Sequence, residues 1–416
     1  MEMVKWEMNS SFLEKENQVA MIKGEAFIKV NKEYFDIIDT IVKNMLDIST
    51  LESYFVDKND YEKIMEIIDS LKKIGVLIDY NYTQDDSDQC IKFNSISLII
   101  TNRCNLSCVH CSQSAEKVDY IKGELSFEEM CKVIDFITKY EVNEITITGG
   151  EPLIRNDFLD IAKYIRSKYK GNLVLLTNGL LISEKNVNEI TSLFNYISIS
   201  IDGIDEELTS KIRGKGVFQK VVETIELLQA YHYDNIELSA ILPNSIEIEE
   251  KFSELCKKLS VRAVNRSLIY SGRAYNNSSF IDKIFKEYIE KYGYTFYDNI
   301  ENLGVGTLET CGACDGTLSI DPKGDVFPCN LLQETSYRIG NILKKTSLLD
   351  EYRNTNASKT IEKMKEMDVE PCKECEIKKI CWFCLADFKE FKLHKSLFED
   401  YCRKRKQSIY KYYFKE

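Results

Sequence analysis

No stretch of this 416-residue chain approaches the ~20 consecutive apolar residues that a membrane-spanning helix requires. The first residues, Glu2, Lys5 and Glu7 among them, lack the basic start and apolar stretch of a secretory signal. There is no internal repeat and no low-complexity tract. Hydrophobic content of 44% and charged content of 29% lie near the globular average, which excludes a disordered, collagenous or coiled-coil chain. Basic residues are in deficit, 55 against 67 acidic, for a net charge of −12. That argues against a broad phosphate-backbone partner, because such binding is driven by lysine and arginine density. A soluble, cytoplasmic protein with no membrane partner is expected.

Cysteine, by contrast, is abundant. Of 14 cysteines, only Cys90, Cys131 and Cys256 stand outside clusters. Without an export signal thiols stay reduced, so clustered cysteines read as metal ligands rather than disulfides. Cys131 and Cys256 fall among apolar helix positions and read as packing residues.

The length predicts several domains, and three segments can be distinguished. Residues 1–90 contain no proline, no arginine and only Gly24 and Gly75. Apolar runs at 19–22 and 26–30 flank Lys23, Gly24 and Glu25 and predict a β-hairpin. Helical spacing follows at Tyr34, Ile37, Ile38, Ile41 and Met45, and again at Tyr61, Ile64, Ile68 and Leu71. A hairpin with three helices outlines a small winged-helix-like domain over 1–88. The acidic stretch 83–88 reads as a linker.

From about 92 the pattern becomes strict alternation. Strands are predicted over 96–101, 143–148, 173–176, 196–201, 236–242 and 261–269, with amphipathic helices between them. The best-marked helix covers 127–140, opened by a capping box of Ser126 and Glu129. Six βα units in series imply an α/β fold, an open (β/α)6 partial barrel over 92–294 with chemistry at the carboxyl ends of its strands. From 295 to 416 apolar periodicity weakens and cysteines dominate, so metal is expected to supply missing stability.

Cys104, Cys108 and Cys111 follow the first barrel strand in the run Thr-Asn-Arg-Cys-Asn-Leu-Ser-Cys-Val-His-Cys. Three thiolates in one tight loop can hold three irons of a cubane cluster and leave the fourth without a protein ligand, which opens it to chemistry. A structural zinc site is the alternative. It normally takes four ligands, and His110 is badly placed to chelate beside Cys111.

This loop resembles the CxxxCxxC signature of the radical S-adenosylmethionine (radical SAM) enzymes. The resemblance implies that the open iron binds the amino and carboxylate groups of SAM, whose reductive cleavage gives methionine and a 5′-deoxyadenosyl radical. It places His110 near the adenine, and it makes Gly149, Gly150, Glu151 and Pro152, at the end of the second strand, similar to the family's GGEP motif near the SAM amino group. Asn178 ends the third strand. Ser200 and Asp202 end the fourth, beside Ser198, and resemble ribose and carboxylate contacts. Arg213 resembles the arginine that pairs with the SAM carboxylate in related maturases. Each residue alone has a plainer reading, as a turn, a helix cap or a surface ion pair; together at successive strand ends they outweigh it.

Eight further cysteines, Cys311, Cys314, Cys329, Cys372, Cys375, Cys381, Cys384 and Cys402, resemble the SPASM domain, which holds two auxiliary 4Fe–4S clusters. By that resemblance Cys311, Cys314, Cys329 and Cys384 hold one cluster, and Cys372, Cys375, Cys381 and Cys402 the other. A pair of zinc ribbons is the alternative. Cys381 and Cys384 stand closer than is usual in the family, as do Cys311 and Cys314 by comparison with sulfatase-maturing relatives. Those maturases carry a catalytic aspartate where this chain has Asn330, and an amide is no general base near neutral pH.

The N-terminal domain resembles the RiPP recognition element, in which a leader peptide adds a strand to the hairpin edge beside the third helix. Residues 25–30 are the expected receiving edge and 61–74 the expected helix. DNA binding is opposed by ten lysines against nineteen acidic residues over 1–90, a balance of −9; a scaffold or dimerisation role is the other alternative. The basic run Arg403, Lys404, Arg405 and Lys406 suggests RNA, but reads better as the solvated face of a terminal helix.

Taken together, the chain resembles radical SAM/SPASM peptide maturases, with ranthipeptide- and sactipeptide-type thioether-forming enzymes nearest. The resemblance implies SAM, three 4Fe–4S clusters, a precursor peptide, and a reducing partner such as flavodoxin or ferredoxin. A carbon–carbon or ether cross-link, epimerisation, sulfatase-type maturation and RNA modification remain as alternatives.

Overall fold

The structure is a computed structural model that describes residues 2–7, 10–23, 26–80, 92–243, 245–266, 268–292, 311–345, 347–365, 372–381, 384–386 and 395–414. The expected turn at Gly24 and Glu25, the expected linker and Cys90 lie outside these residues. The chain forms two compact units. One comprises Met1–Asp88, Tyr297–Cys311 and Lys365–Glu416, and the other Gln89–Phe296 with Gly312–Met364. The units cut across the three consecutive segments read from the sequence, because the cysteine-rich segment is shared between them.

In the first unit, β1 (Val4–Trp6) pairs with β5 (Leu77–Asp79), and β2 (Ser11–Lys15), β3 (Gln18–Lys23) and β4 (Ala26–Asn31) form an antiparallel sheet in the order β2-β3-β4. The expected hairpin is β3–β4, and β2 is an additional strand. Two α-helices, Lys32–Lys43 and Lys58–Lys73, are joined by a 3-10 helix, Ile48–Tyr54, in place of the middle α-helix of the expected three.

Alternation along the strands sorts this sheet into two apolar faces. Val19, Met21 and Val30 point into a core with Ile38, Ile41, Ile64, Ile68 and Leu71. Leu13, Ala20 and Ile22 are also fully buried. The registers Leu13↔Ala20 and Ile22↔Phe27 put them on the opposite face with Phe27. There the C-terminal helix, Lys395–Phe414, lays Tyr413 edge-on against Phe27 at 4.9 Å and Tyr412 beside it at 5.9 Å. The basic run is not wholly the solvated face expected of it: Arg403 is exposed, but Arg405 is buried with Ile409 and Tyr413 along one stripe.

In the second unit, six parallel strands, β6 (Lys92–Ile99), β7 (Glu141–Thr148), β8 (Asn172–Thr177), β9 (Tyr196–Ser200), β10 (Ile236–Ala240) and β11 (Arg262–Asn265), stand side by side in chain order. Apolar strand residues such as Ile96, Ile145, Leu173, Ile197 and Leu238 are buried, as expected of a sheet covered on both faces. The capping box of Ser126 and Glu129 opens the helix Phe127–Ile137. Beyond the six expected strands, β12 (Thr317–Ile320) adds parallel to β6, followed by β13 (Asp325–Phe327) and β14 (Gly340–Asn341). Part of the cysteine-rich segment thus extends the barrel sheet. Among the described residues no helix is long and apolar enough to cross a membrane.

Candidate functional site

The loop after β6 carries Cys104 and Cys108, both buried, and Cys111, half-buried. It is folded by its own backbone: the Cys111 N–H donates to the Cys108 carbonyl at 3.3 Å, and the Cys104 N–H to the Glu116 carbonyl at 2.8 Å. The Leu106 N–H donates to Cys104 Sγ at 3.3 Å. Burial pushes the Cys104 thiol up to about 11, and burial likewise raises Cys108 against the opposing pull of Arg213. An isolated thiolate is costly here, so the site suits thiols whose charge a metal neutralises. Glu124, which the sequence reading missed, ties the loop's root, accepting from Thr101 Oγ1 at 2.5 Å, the Asn102 N–H at 3.1 Å and Arg103 Nε at 3.1 Å.

The end of β7 runs against this loop. The Gly150 N–H donates to the Thr101 carbonyl and the Glu151 N–H to the Arg103 carbonyl, each at 2.8 Å. A Cβ on Gly149 would lie 2.3 Å from the Thr101 oxygen, and one on Gly150 2.2 Å from the Arg103 oxygen. Only glycine permits that approach. Glu151 is fully buried and accepts from Thr177 Oγ1 at 2.7 Å, the Asn178 N–H at 2.8 Å and the Leu153 N–H at 3.2 Å. Burial raises its carboxyl above the usual range while these donors oppose the rise. In this arrangement its side chain braces the ends of β7 and β8. Pro152 is buried and opens the short turn that follows. Asn178 Nδ2 reaches Asn105 Oδ1 at 2.7 Å and Cys104 Sγ at 3.9 Å.

The end of β9 supplies the charged centre. Asp202 is fully buried and left-handed, with φ +54°. Its Oδ2 meets His110 Nε2 at 2.6 Å and accepts from Arg213 Nε at 2.6 Å; its Oδ1 accepts from the Ile241 N–H at 2.7 Å. Burial alone would raise this carboxyl, but the Arg213 guanidinium and His110 outweigh it and hold the group well below the carboxylate range. Arg213 Nη1 also lies 3.9 Å from Cys108 Sγ. The expected His110, Asp202 and Arg213 are therefore one connected cluster against the cysteine loop. Ser200, half-buried, accepts from Arg266 Nη2 at 3.2 Å. Arg266, at the end of β11, carried no signal in the sequence.

Of the C-terminal cysteines, Cys372, Cys375, Cys381 and Cys402 share the first unit. The Cys375 N–H donates to the Cys372 carbonyl at 3.1 Å, and Lys406 Nζ binds Glu376 Oε2 at 2.9 Å, fastening the C-terminal helix to that turn. Burial pushes the Cys381 thiol up to about 12, with Cys375, Cys402 and Cys372 close enough to raise it further and Arg405 close enough to lower it. Cys311 and Cys384 are half-buried in the first unit. Cys314, buried at φ +57°, and Cys329, half-buried, belong to the second. No disulfide joins the described cysteines, and among the described residues no three metal-binding side chains converge on a single-ion position.

The residues around Cys104, Cys108 and Cys111 fit a cluster with a bound cofactor. The donors are three reduced thiols, and the Nδ1 of the buried His110 has no partner. The backbone at Gly149 and Gly150 leaves no room for a side chain.

Comparison with known proteins agrees. Residues 98–259 match the radical SAM superfamily, and residues 311–376 match SPASM, an iron–sulfur cluster-binding domain. The chain is 27% identical over 276 residues to mycofactocin maturase MftC of Mycobacterium tuberculosis, covering 62% of this chain and 69% of that protein. It is 27% identical over 299 residues to GTP 3′,8-cyclase of Clostridium botulinum, covering 65% of this chain and 92% of the cyclase. Streptococcus suis SuiB bound to its precursor peptide SuiA has the same fold over 93% of this chain and 97% of that one, at a TM-score of 0.54 and 15% identity. The first domain binds SAM and a 4Fe–4S cluster, and the second binds auxiliary iron–sulfur clusters.

Proposed function

We propose, from the premise that this chain is a radical SAM enzyme with a SPASM domain, that it binds a ribosomally made precursor peptide through its leader and installs an oxidative cross-link in the core. The observation that carries the reading is β4, which among the described residues has a sheet neighbour on one side only. A leader can add as a strand there; the helix Lys58–Lys73, expected beside it, packs into the same core through Ile64, Ile68 and Leu71. Residue 25, at the start of the expected edge, lies outside the described residues. The peptide named in the SuiB complex and the maturase named among the relatives support this substrate class.

When bound, the cofactor supplies a 5′-deoxyadenosyl radical by reductive cleavage, the electron coming from a flavodoxin or ferredoxin. This chain's own residues position the reaction. Cys104, Cys108 and Cys111 would hold the cluster, Gly149 and Gly150 let the end of β7 close against the root of the cysteine loop, and His110, Ser200, Asp202 and Arg213 would shape the cofactor's far side.

A thioether from a core cysteine to a carbon of another residue fits the auxiliary cysteines best. Forming that bond removes two hydrogens. One leaves as an atom to the radical, the other as a thiol proton, and one electron must then be carried away. Cys311, Cys314, Cys329 and Cys384, and Cys372, Cys375, Cys381 and Cys402, are the ligand sets assigned to that path. Epimerisation is redox-neutral and does not call for it. Sulfatase-type maturation is disfavoured at Asn330. The neighbouring Asp325 is committed to Arg338 Nη2 at 2.6 Å and Asn341 Nδ2 at 2.7 Å. RNA modification is disfavoured because Arg405 is buried and Lys406 is paired with Glu376.

Co-expression with any short peptide gene adjacent to this one, read by mass spectrometry, tests the reading. Two hydrogens lost per bond, with a core cysteine no longer alkylated, supports the thioether. The same loss with every cysteine still alkylated points to a carbon–carbon or ether bond. An unchanged peptide overturns cross-linking.

A further inference from the structure

The cysteine loop is also gripped from the far end of the barrel, by residues outside every motif that marks the site. The short helix Arg273–Asn276 follows β11, and its first residue makes three contacts with the loop. The Arg273 N–H donates to the Cys111 carbonyl at 2.9 Å, its Nε to the Cys108 carbonyl at 2.9 Å and its Nη2 to the Ala115 carbonyl at 2.8 Å. One turn on, Asn277 Nδ2 donates to the Val109 carbonyl at 2.9 Å. Gly272, at φ +57°, makes the approach possible, because a Cβ there would sit 2.3 Å from the Ser112 oxygen.

We propose that Arg273 is a positioning residue for the cluster held by Cys104, Cys108 and Cys111, locking the loop's backbone in the ligating shape and placing an uncancelled positive charge behind it.

Arg213 and Arg273 differ in this respect. Arg213 spends its charge on Asp202, whereas among the described residues the side-chain bonds of Arg273 go to neutral carbonyls. A cluster with three thiolate ligands is anionic, and reduction adds another negative charge. A fixed cation nearby therefore stabilises the reduced form more than the oxidised one. Arginine suits the task better than lysine because its planar fork bridges carbonyls at 108 and 115 together, while a single ammonium keeps the charge and loses the bridge. The inference depends on the radical SAM site alone and holds whatever substrate is modified.

The test uses the reconstituted full-length protein and the reduced-cluster EPR signal that changes on adding SAM, which identifies this cluster among the others. In R273Q the midpoint potential of that signal falls, and a chelator removes it several-fold faster than in wild type, while the SAM-insensitive signals keep their potentials. R273K restores the potential but not the resistance to chelation. R273Q with wild-type potential, or R273K with the R273Q potential, overturns the charge effect and with it the proposal. If R273Q does not fold, R273K decides alone: chelator resistance equal to wild type overturns the clamp.

Discussion

His110 and Asp202 stand 92 positions apart in the chain, yet His110 Nε2 and Asp202 Oδ2 lie 2.6 Å apart, both side chains buried. The same oxygen accepts from Arg213. One carboxylate thus fixes the imidazole's orientation, leaves its Nδ1 facing away, and cancels the guanidinium charge.

Replacing Asp202 with Asn strands a buried guanidinium, and losing one partner of a buried ion pair costs about 3–5 kcal/mol. Anaerobic denaturation should show a loss of that order. The double variant Asp202→Asn, Arg213→Met should lose less than the sum of the two single changes, because the second substitution removes the stranded charge. Strict additivity in that cycle would contradict the coupling.

Gly150→Ala forces a methyl to within 2.2 Å of the Arg103 oxygen, so β7's end and the cysteine loop must separate. Overpacking of this kind costs about 1–3 kcal/mol. Iron bound at the SAM-responsive cluster should fall while the auxiliary clusters are retained, as read by iron analysis with EPR. Full retention in that variant would show that the two backbones need not touch.

Asp157 accepts from Arg155 Nε at 2.8 Å and, through its other oxygen, from Nη2 at 2.6 Å, and Arg155 also donates to the Ile100 carbonyl at the root of the site. The arginine bonds hold the Asp157 carboxyl below its ordinary value against burial. A depressed carboxyl contributes stability that is present above the unfolded value, about 3.9, and lost as pH falls through the folded one. The stability gap between wild type and Asp157→Asn should therefore be constant near neutrality and narrow below about pH 4. A gap that widens on acidification would reverse the sign.

Tyr413→Ala removes a buried ring from Phe27, a truncation that costs about 3–5 kcal/mol. Hydrogen exchange should quicken across β3 and β4 while β7 to β9 stay protected. Unchanged exchange in β3 and β4 would mean that the helix contributes nothing to that sheet.

Much of the barrel was legible because its strands are β-branched alternating runs and its site residues sit at their ends, where Gly150, Glu151 and Asp202 stand in recognisable company. The supporting contacts were not. Glu124, Arg266, Arg273 and Asn277 are single polar residues whose partners lie far along the chain, and no periodicity marks them. β12 escaped because four residues next to a cysteine pair carry too little pattern. The C-terminal helix misled because its buried stripe of Arg405, Ile409 and Tyr413 is interrupted by a run of basic residues, which composition alone assigns to solvent. Within the first unit, the two α-helices and the hairpin were in place, but the second apolar face of the sheet was invisible until its cover was seen.

That cover sets an order of events during synthesis. Leu13, Ala20, Ile22 and Phe27 leave the ribosome long before Tyr412 and Tyr413. Until Tyr412 and Tyr413 have been made the sheet has one greasy side bare, so a nascent chain, or one cut short of them, would need a chaperone to guard it.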